Sequence, residues 1–102
     1  MLKWYHYILL FLGGAFIANF FPHFVNGISG QAFPTPFADP PGRGLSPPFV
    51  NILWALFNLV VGYFLTRGGK FSLANRTTVI VAFLGFAAMA LNLSFVFAGI
   101  QR

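Results

Sequence analysis

One carboxylate and two imidazoles are the whole stock of ordinary acid–base side chains in this chain: Asp39, His6 and His23. Asp39 stands alone, whereas hydrolytic sites set two titrating groups against each other. The histidines are 17 residues apart, which on one helix separates them by roughly 25 Å. A metal centre needs three or four ligands converging at about 2 Å, and neither histidine has neighbours of that kind. There is no cysteine, so thiolate catalysis, disulfides and Cys-based metal sites are excluded. A nucleophile, a base and an orienting group cannot be assembled from this set. The expectation is a protein that is not an enzyme and carries no metal. His6, beside Trp4, Tyr5 and Tyr7, reads as an interfacial residue. His23 follows Pro22 and lies near Asn26. It reads as structural or solvated, with a headgroup, pigment or cofactor brought by a complex as the open alternative; no cofactor is expected otherwise.

The amides offer more. Asn19, Asn26, Asn51, Asn58 and Asn92 lie in or beside long apolar runs. An unpaired amide in hydrocarbon costs several kcal/mol, so such groups should turn inward and find partners. Asn51 and Asn58 are seven apart and share a helix face, with Trp54 and Ala55 between them. One reading is interhelical glue, each bond contributing about 0.6–2 kcal/mol. The other is a polar pocket that opens outward, with His23 and Asn26 at its rim. Asn19, His23, Asn26, Asn51, Asn58 and Asn92 are therefore the candidate ligand- or partner-binding residues. Asn75-Arg-Thr77 and Asn92-Leu-Ser94 match the glycosylation pattern, but the first is expected in the cytoplasm and the second within the bilayer.

The elements that must position these groups are apolar. The chain is 58 % hydrophobic and 7 % charged, with a mean hydropathy of +0.79. A soluble domain averages about 25 % charged residues, so lipid is the expected solvent. Net charge is +5, yet the cations are scattered singly and form no stripe of the kind that binds nucleic acid. At 102 residues the chain is a single membrane domain. The fold class is all-α, a polytopic membrane protein with three transmembrane helices.

All seven prolines and the one acid lie between Pro22 and Pro48. Proline removes an amide donor and fixes φ, so this segment should not continue a helix, and Pro22 should end or kink the one before it. The expected layout is a first span over 4–21, a Pro-rich outer loop over 22–46, a second span over 47–67, a basic connector over 68–76 and a third span over 77–100. A cleaved signal peptide is disfavoured by the lack of a small-x-small site near the end of the first run. Ser46 and Pro47 suit the start of the second helix, and Gly68-Gly69 its left-handed end. Ser72 or Asn75 can cap the third. Within the outer loop, Pro41 and Gly42 suit the centre of a tight turn. That turn could pair Asp39 with Arg43, a contact worth about 0–1 kcal/mol when exposed. Phe33, Phe37 and Leu45 are too apolar for a solvated linker and should pack on the helix ends as a lid.

Orientation follows from cations. Lys3, Arg67, Lys70 and Arg76 would share one side; Arg43 and Arg102, one of them offset by Asp39, would share the other. The richer side is cytoplasmic, so the N-terminus is expected inside and the Pro-rich loop and C-terminus outside. Small residues mark close helix contacts: Gly13, Gly14 and Ala18; Ala55 and Gly62; and Gly85, Ala88 and Asn92 on one face of the third helix. Three short helices enclose little interior. The favoured function is thus a small subunit of a larger membrane complex, or a homo-oligomer, held by helix packing and the Pro-rich loop. The alternative is a small oligomeric transport or ligand-binding protein with an Asn-lined pocket under that loop. Lipid and other membrane subunits are the expected partners.

Overall fold

Proline 22 does not stop the first helix. In the computed structural model, which describes residues 1–100, α1 runs unbroken over Trp4–Ile28. Helix is the default backbone in hydrocarbon because no water is present to satisfy freed groups, and proline is tolerated there when neighbours compensate. The Asn26 amide donates to the Pro22 carbonyl at 2.7 Å and ties down the turn after the proline. The 25 residues of α1 extend about 37 Å, against a hydrocarbon core of about 30 Å. The turn carrying His23 and Asn26 is therefore part of α1 and not of a loop.

Two further helices follow, α2 (Pro48–Gly68) and α3 (Arg76–Ala98). All three are long and apolar enough to cross a membrane. The start of α2 differs from expectation. Pro47 is the flanking residue and Ser46 makes no cap; the Ser46 hydroxyl instead lies 2.6 Å from that of Thr35. At its end Gly69 closes the helix with φ −81°, and the left-handed residue is Lys70, φ 63°, rather than the glycine pair. Asn75 caps α3 by accepting from the Thr77 amide at 3.1 Å. The Thr78 hydroxyl receives the Ser72 amide at 3.0 Å and donates to the Ser72 carbonyl.

The segment between α1 and α2 spans only 29–47, shorter than the 22–46 loop foreseen because α1 has absorbed residues 22–28. It is also folded. β1 (Phe33–Pro34) pairs antiparallel with β2 (Leu45–Ser46), Phe33 opposite Ser46. The Arg43 amide donates to the Pro40 carbonyl at 3.1 Å, with Pro41 and Gly42 between them. Gly42 has φ 75°, the geometry that a type II turn requires at this position and that glycine adopts freely. Asp39–Pro40 is a cis peptide. The Thr35 carbonyl accepts from both Ala38 and Gly42. Among the described residues no ion pair joins Asp39 to Arg43; Gly44 packs instead against the Asp39 backbone, where a Cβ would collide. Arg102 lies outside the described residues.

Helix α1 is the centre of the fold. Both α2 and α3 pack on it and scarcely on each other. The α1–α2 seam is built from Gly13, Gly27, Gly62 and Gly69; a Cβ on Gly13 would sit 2.9 Å from the Thr66 amide nitrogen. The buried face of α2 is Asn51, Ala55, Asn58 and Gly62. In the α1–α3 seam, Gly14 faces the Ala82 carbonyl and Gly85 faces that of Phe11, each too close for a side chain. Ala88 and Asn92 do not join Gly85 in this seam. Both are exposed on the outer side of α3. Spacing alone would keep both near the face of Gly85; α1 covers only a narrow stripe of α3, which past Gly85 runs through Leu93 and Phe97 instead. Only 11 % of the most apolar window of α3 is buried.

Candidate functional site

Two polar rungs cross from α1 to α2 near the end covered by the hairpin. In the deeper one the Asn19 amide nitrogen donates to Asn58 Oδ1 at 3.0 Å, and Asn58 Nδ2 donates to the Trp54 carbonyl at 2.8 Å. In the shallower one His23 Nδ1 lies 2.8 Å from Asn51 Oδ1. Asn51 Nδ2 points at the carbonyls of Phe33, Ser46 and Pro47, at 3.0, 3.1 and 3.3 Å. Those three acceptors require the nitrogen of the amide on that side. The oxygen must then face the ring, so His23 Nδ1–H is the donor. In the neutral ring this fixes the tautomer and leaves Nε2 a bare acceptor.

Both members of this rung are buried, His23 at 3 % exposure and Asn51 at 0 %. Their position follows from local structure. Pro47–Pro48 starts α2 one turn before Asn51, so its side chain reaches back over the helix start to the hairpin carbonyls. The continuation of α1 through Pro22 carries His23 to the same level. Phe33 lies edge-on to the His23 ring at 5.4 Å and against Phe97 of α3 at 4.6 Å. Thr35 is buried beside them, its Oγ accepting the Phe37 amide at 3.1 Å.

A cavity of about 170 Å³ lies where α1, α2, α3 and the hairpin converge. Asn19 and His23 line it from α1, Trp54 from α2, Leu93, Val96 and Phe97 from α3, and Thr35 and Gly42 from the hairpin. No charged side chain lines it. The Trp54 indole stacks on Phe57 and takes Phe37 edge-on at 5.1 Å. Its Nε1–H is buried and has no hydrogen-bond partner among the described residues. A buried donor left unmatched costs about 1–3 kcal/mol.

Of the six binding residues expected, the structure brings together Asn19, His23, Asn51 and Asn58. Asn26 bonds within its own helix and is not at the rim. Asn92 is exposed and turned away. Phe33 is buried as a lid residue should be, whereas Phe37 and Leu45 are 67 % and 53 % exposed, Phe37 touching only Trp54 among the rings. His6 is buried in the first turn of α1. It accepts the Lys3 amide at Nδ1, 2.8 Å, and packs beneath Gly69. Thr35, Ser46 and Trp54 were missed as site residues. Trp54 was legible in principle, since it sits between Asn51 and Asn58 on one face; the pairing of Thr35 with Ser46 depends on the hairpin register and has no local signal. Among the described residues no three metal-ligating side chains come together. No family model, curated protein or solved structure matches the chain.

Proposed function

We propose that the protein is a small, non-enzymatic membrane subunit that assembles laterally, with itself or within a larger membrane complex, through the outer face of α3. One observation carries this reading: Asn92 is exposed on a helix that lipid would otherwise surround. Ala88, Asn92 and Phe95 lie at i, i+4 and i+7 on that face and all three are exposed. An amide bathed in acyl chains is unfavourable, and a small residue one turn away lets a second backbone approach. The hairpin then lies outside the cell and the N-terminus in the cytoplasm, as the cation count favours. Native mass measurement in mild detergent tests the reading. An assembly heavier than the 11.2 kDa chain that falls to monomer in Asn92→Leu supports it; a wild-type monomer with no co-purifying chain refutes it.

The cavity under the hairpin, lined by Asn19 and His23, favours a second reading, a ligand-binding or transport protein. That cavity would have to be loaded from the bilayer or the outer surface. Saturable binding of a lipid-soluble compound separates this reading from simple packing.

A further inference from the structure

A separate groove, sharing no residue with the cavity under the hairpin, opens at the connector end of the helices. Gly14 of α1 lies on its floor, Val79, Phe83 and Phe86 of α3 form one wall, and Thr66 and Phe71 close it at the end of α2. The Thr66 hydroxyl donates within its own helix, to the Gly62 and Tyr63 carbonyls at 3.0 and 2.9 Å. It is already spent, and the other side chains of the wall are apolar. From Val79 to Phe86 the groove runs about 10 Å along the helix axis, less than one leaflet of a hydrocarbon core about 30 Å thick. Its volume of about 270 Å³ over that length gives a cross-section on the order of 27 Å², against roughly 80 Å² for a helix 10 Å wide. A second helix does not fit there; a single extended hydrocarbon chain does.

The rim is cationic. Arg76 stands three residues before Val79 and seven before Phe83, on the same face of α3, and helical side chains lean back toward the N-terminus. Lys70 immediately precedes Phe71, and Arg67 immediately follows Thr66. All three cations are exposed. The single carboxylate of the chain, Asp39, lies on the hairpin at the other end of the helices. We propose that this groove binds one acyl chain of an anionic phospholipid, whose phosphate is held at the rim by Arg76 with Lys70 and Arg67. A guanidinium fork matches phosphate oxygens in geometry as well as charge. A headgroup that carries its own ammonium gains less from three cations than one that is net negative. The face used is not that of Ala88, Asn92 and Phe95, since Asn92 lies nine positions, or two and a half turns, beyond Phe83. Lipid binding and lateral assembly can therefore fail separately.

The full chain in mild detergent is titrated with dioleoylphosphatidylglycerol, with dioleoylphosphatidylcholine or with inorganic phosphate alone, and adducts are counted by native mass measurement. The expected result is one phosphatidylglycerol per chain, saturating at about tenfold lower concentration than phosphatidylcholine, the factor that one charge-assisted hydrogen bond provides. Arg76→Gln should erase this preference and Arg76→Lys should retain part of it. Arg43→Gln, which removes an equal charge from the hairpin, should leave it unchanged. Phe83→Trp places the chain: its added indole should be quenched saturably by phosphatidylglycerol brominated in the acyl chains. Equal affinity for the two lipids, or a preference that survives Arg76→Gln, would overturn the headgroup assignment. Adducts of inorganic phosphate alone would reduce the site to its cations, and a preference without quenching in Phe83→Trp would remove the chain from the groove; either overturns the proposal, as does a chain that retains no lipid.

Discussion

His23 and Asn51, separated by 28 positions in sequence, meet at 2.8 Å and join three elements at one point. His23 belongs to α1, Asn51 to α2, and the same amide grips the hairpin through the Phe33 and Ser46 carbonyls. Every hydrogen bond of this cluster is buried or partly buried, where leaving a group unmatched is more costly than the bond itself is worth. Replacing Asn51 with Leu removes the donor for three carbonyls and the acceptor for His23 at once. We expect a loss of about 3 kcal/mol, read from unfolding in mixed micelles. The Ala38 and Gly42 amides should exchange faster in the same variant. A midpoint within error of wild type would show that the rung is ornamental.

The deeper rung should be weaker. Double-mutant cycles on interhelical bonds in membranes average about 0.6 kcal/mol, because the unfolded helices also find partners. The Asn19→Leu, Asn58→Leu cycle should return a coupling of that size and stay below about 2 kcal/mol. A coupling near zero would indicate that each amide is satisfied locally, as Asn58 Nδ2 already is by Trp54.

Glycine 85 sets the approach of α3 to α1. A methyl there meets the Phe11 carbonyl, and one on Gly14 meets that of Ala82. Backbone cannot yield as a side-chain tip does, so Gly85→Ala should destabilise by about 1–3 kcal/mol or more. Gly99 is the matched control: its Cβ would meet nothing nearer than 3.7 Å. Gly99→Ala should remain within about 0.5 kcal/mol of wild type. If the two alanine variants melt alike, the seam is looser than the structure has it.

Asn92→Leu should leave the isolated chain intact while abolishing assembly. The side chain touches nothing that the fold needs, and exposed substitutions of this kind change stability by less than about 0.5 kcal/mol. Chemical crosslinking in membranes, wild type against variant, reads the assembly directly. A variant that both unfolds and dissociates would place Asn92 in the fold rather than at a subunit contact.

Sidedness can be measured without background, because the chain has no cysteine. Phe37→Cys and Lys70→Cys place one thiol on the hairpin and one on the connector between α2 and α3. An impermeant maleimide added to intact cells should label the first and spare the second. Labelling of both at one face is incompatible with three crossings.

The three apolar helices could be read from the chain, and Asn75 was one of the two caps it offered for α3, because each depends on local pattern. Apolar runs of bilayer length and an Asn ahead of a run need no knowledge of what lies across from them. The tight turn at Pro41 and Gly42 was legible for the same reason, since the required φ is a property of one residue. Pro22 was misleading. The rule that proline ends a helix is calibrated against water as the competing partner, and in lipid that competitor is missing. Pairing among the asparagines was foreseeable as a class but not by member. Asn51 and Asn58 point at α1 while Asn92 points away, and only the placement of α3 on one side of α1 makes that difference.

What the amino-acid order determined alone was therefore a helical chain with three apolar stretches long enough to span a membrane and its prolines gathered from the last third of α1 to the start of α2, since hydropathy and backbone stiffness act residue by residue. What the tertiary structure decided was which polar atoms meet. The Asn51 grip on the hairpin, the single tautomer of His23 and the unmatched indole of Trp54 arise only when distant segments are brought within about 3 Å, where hydrogen bonds form or are lost.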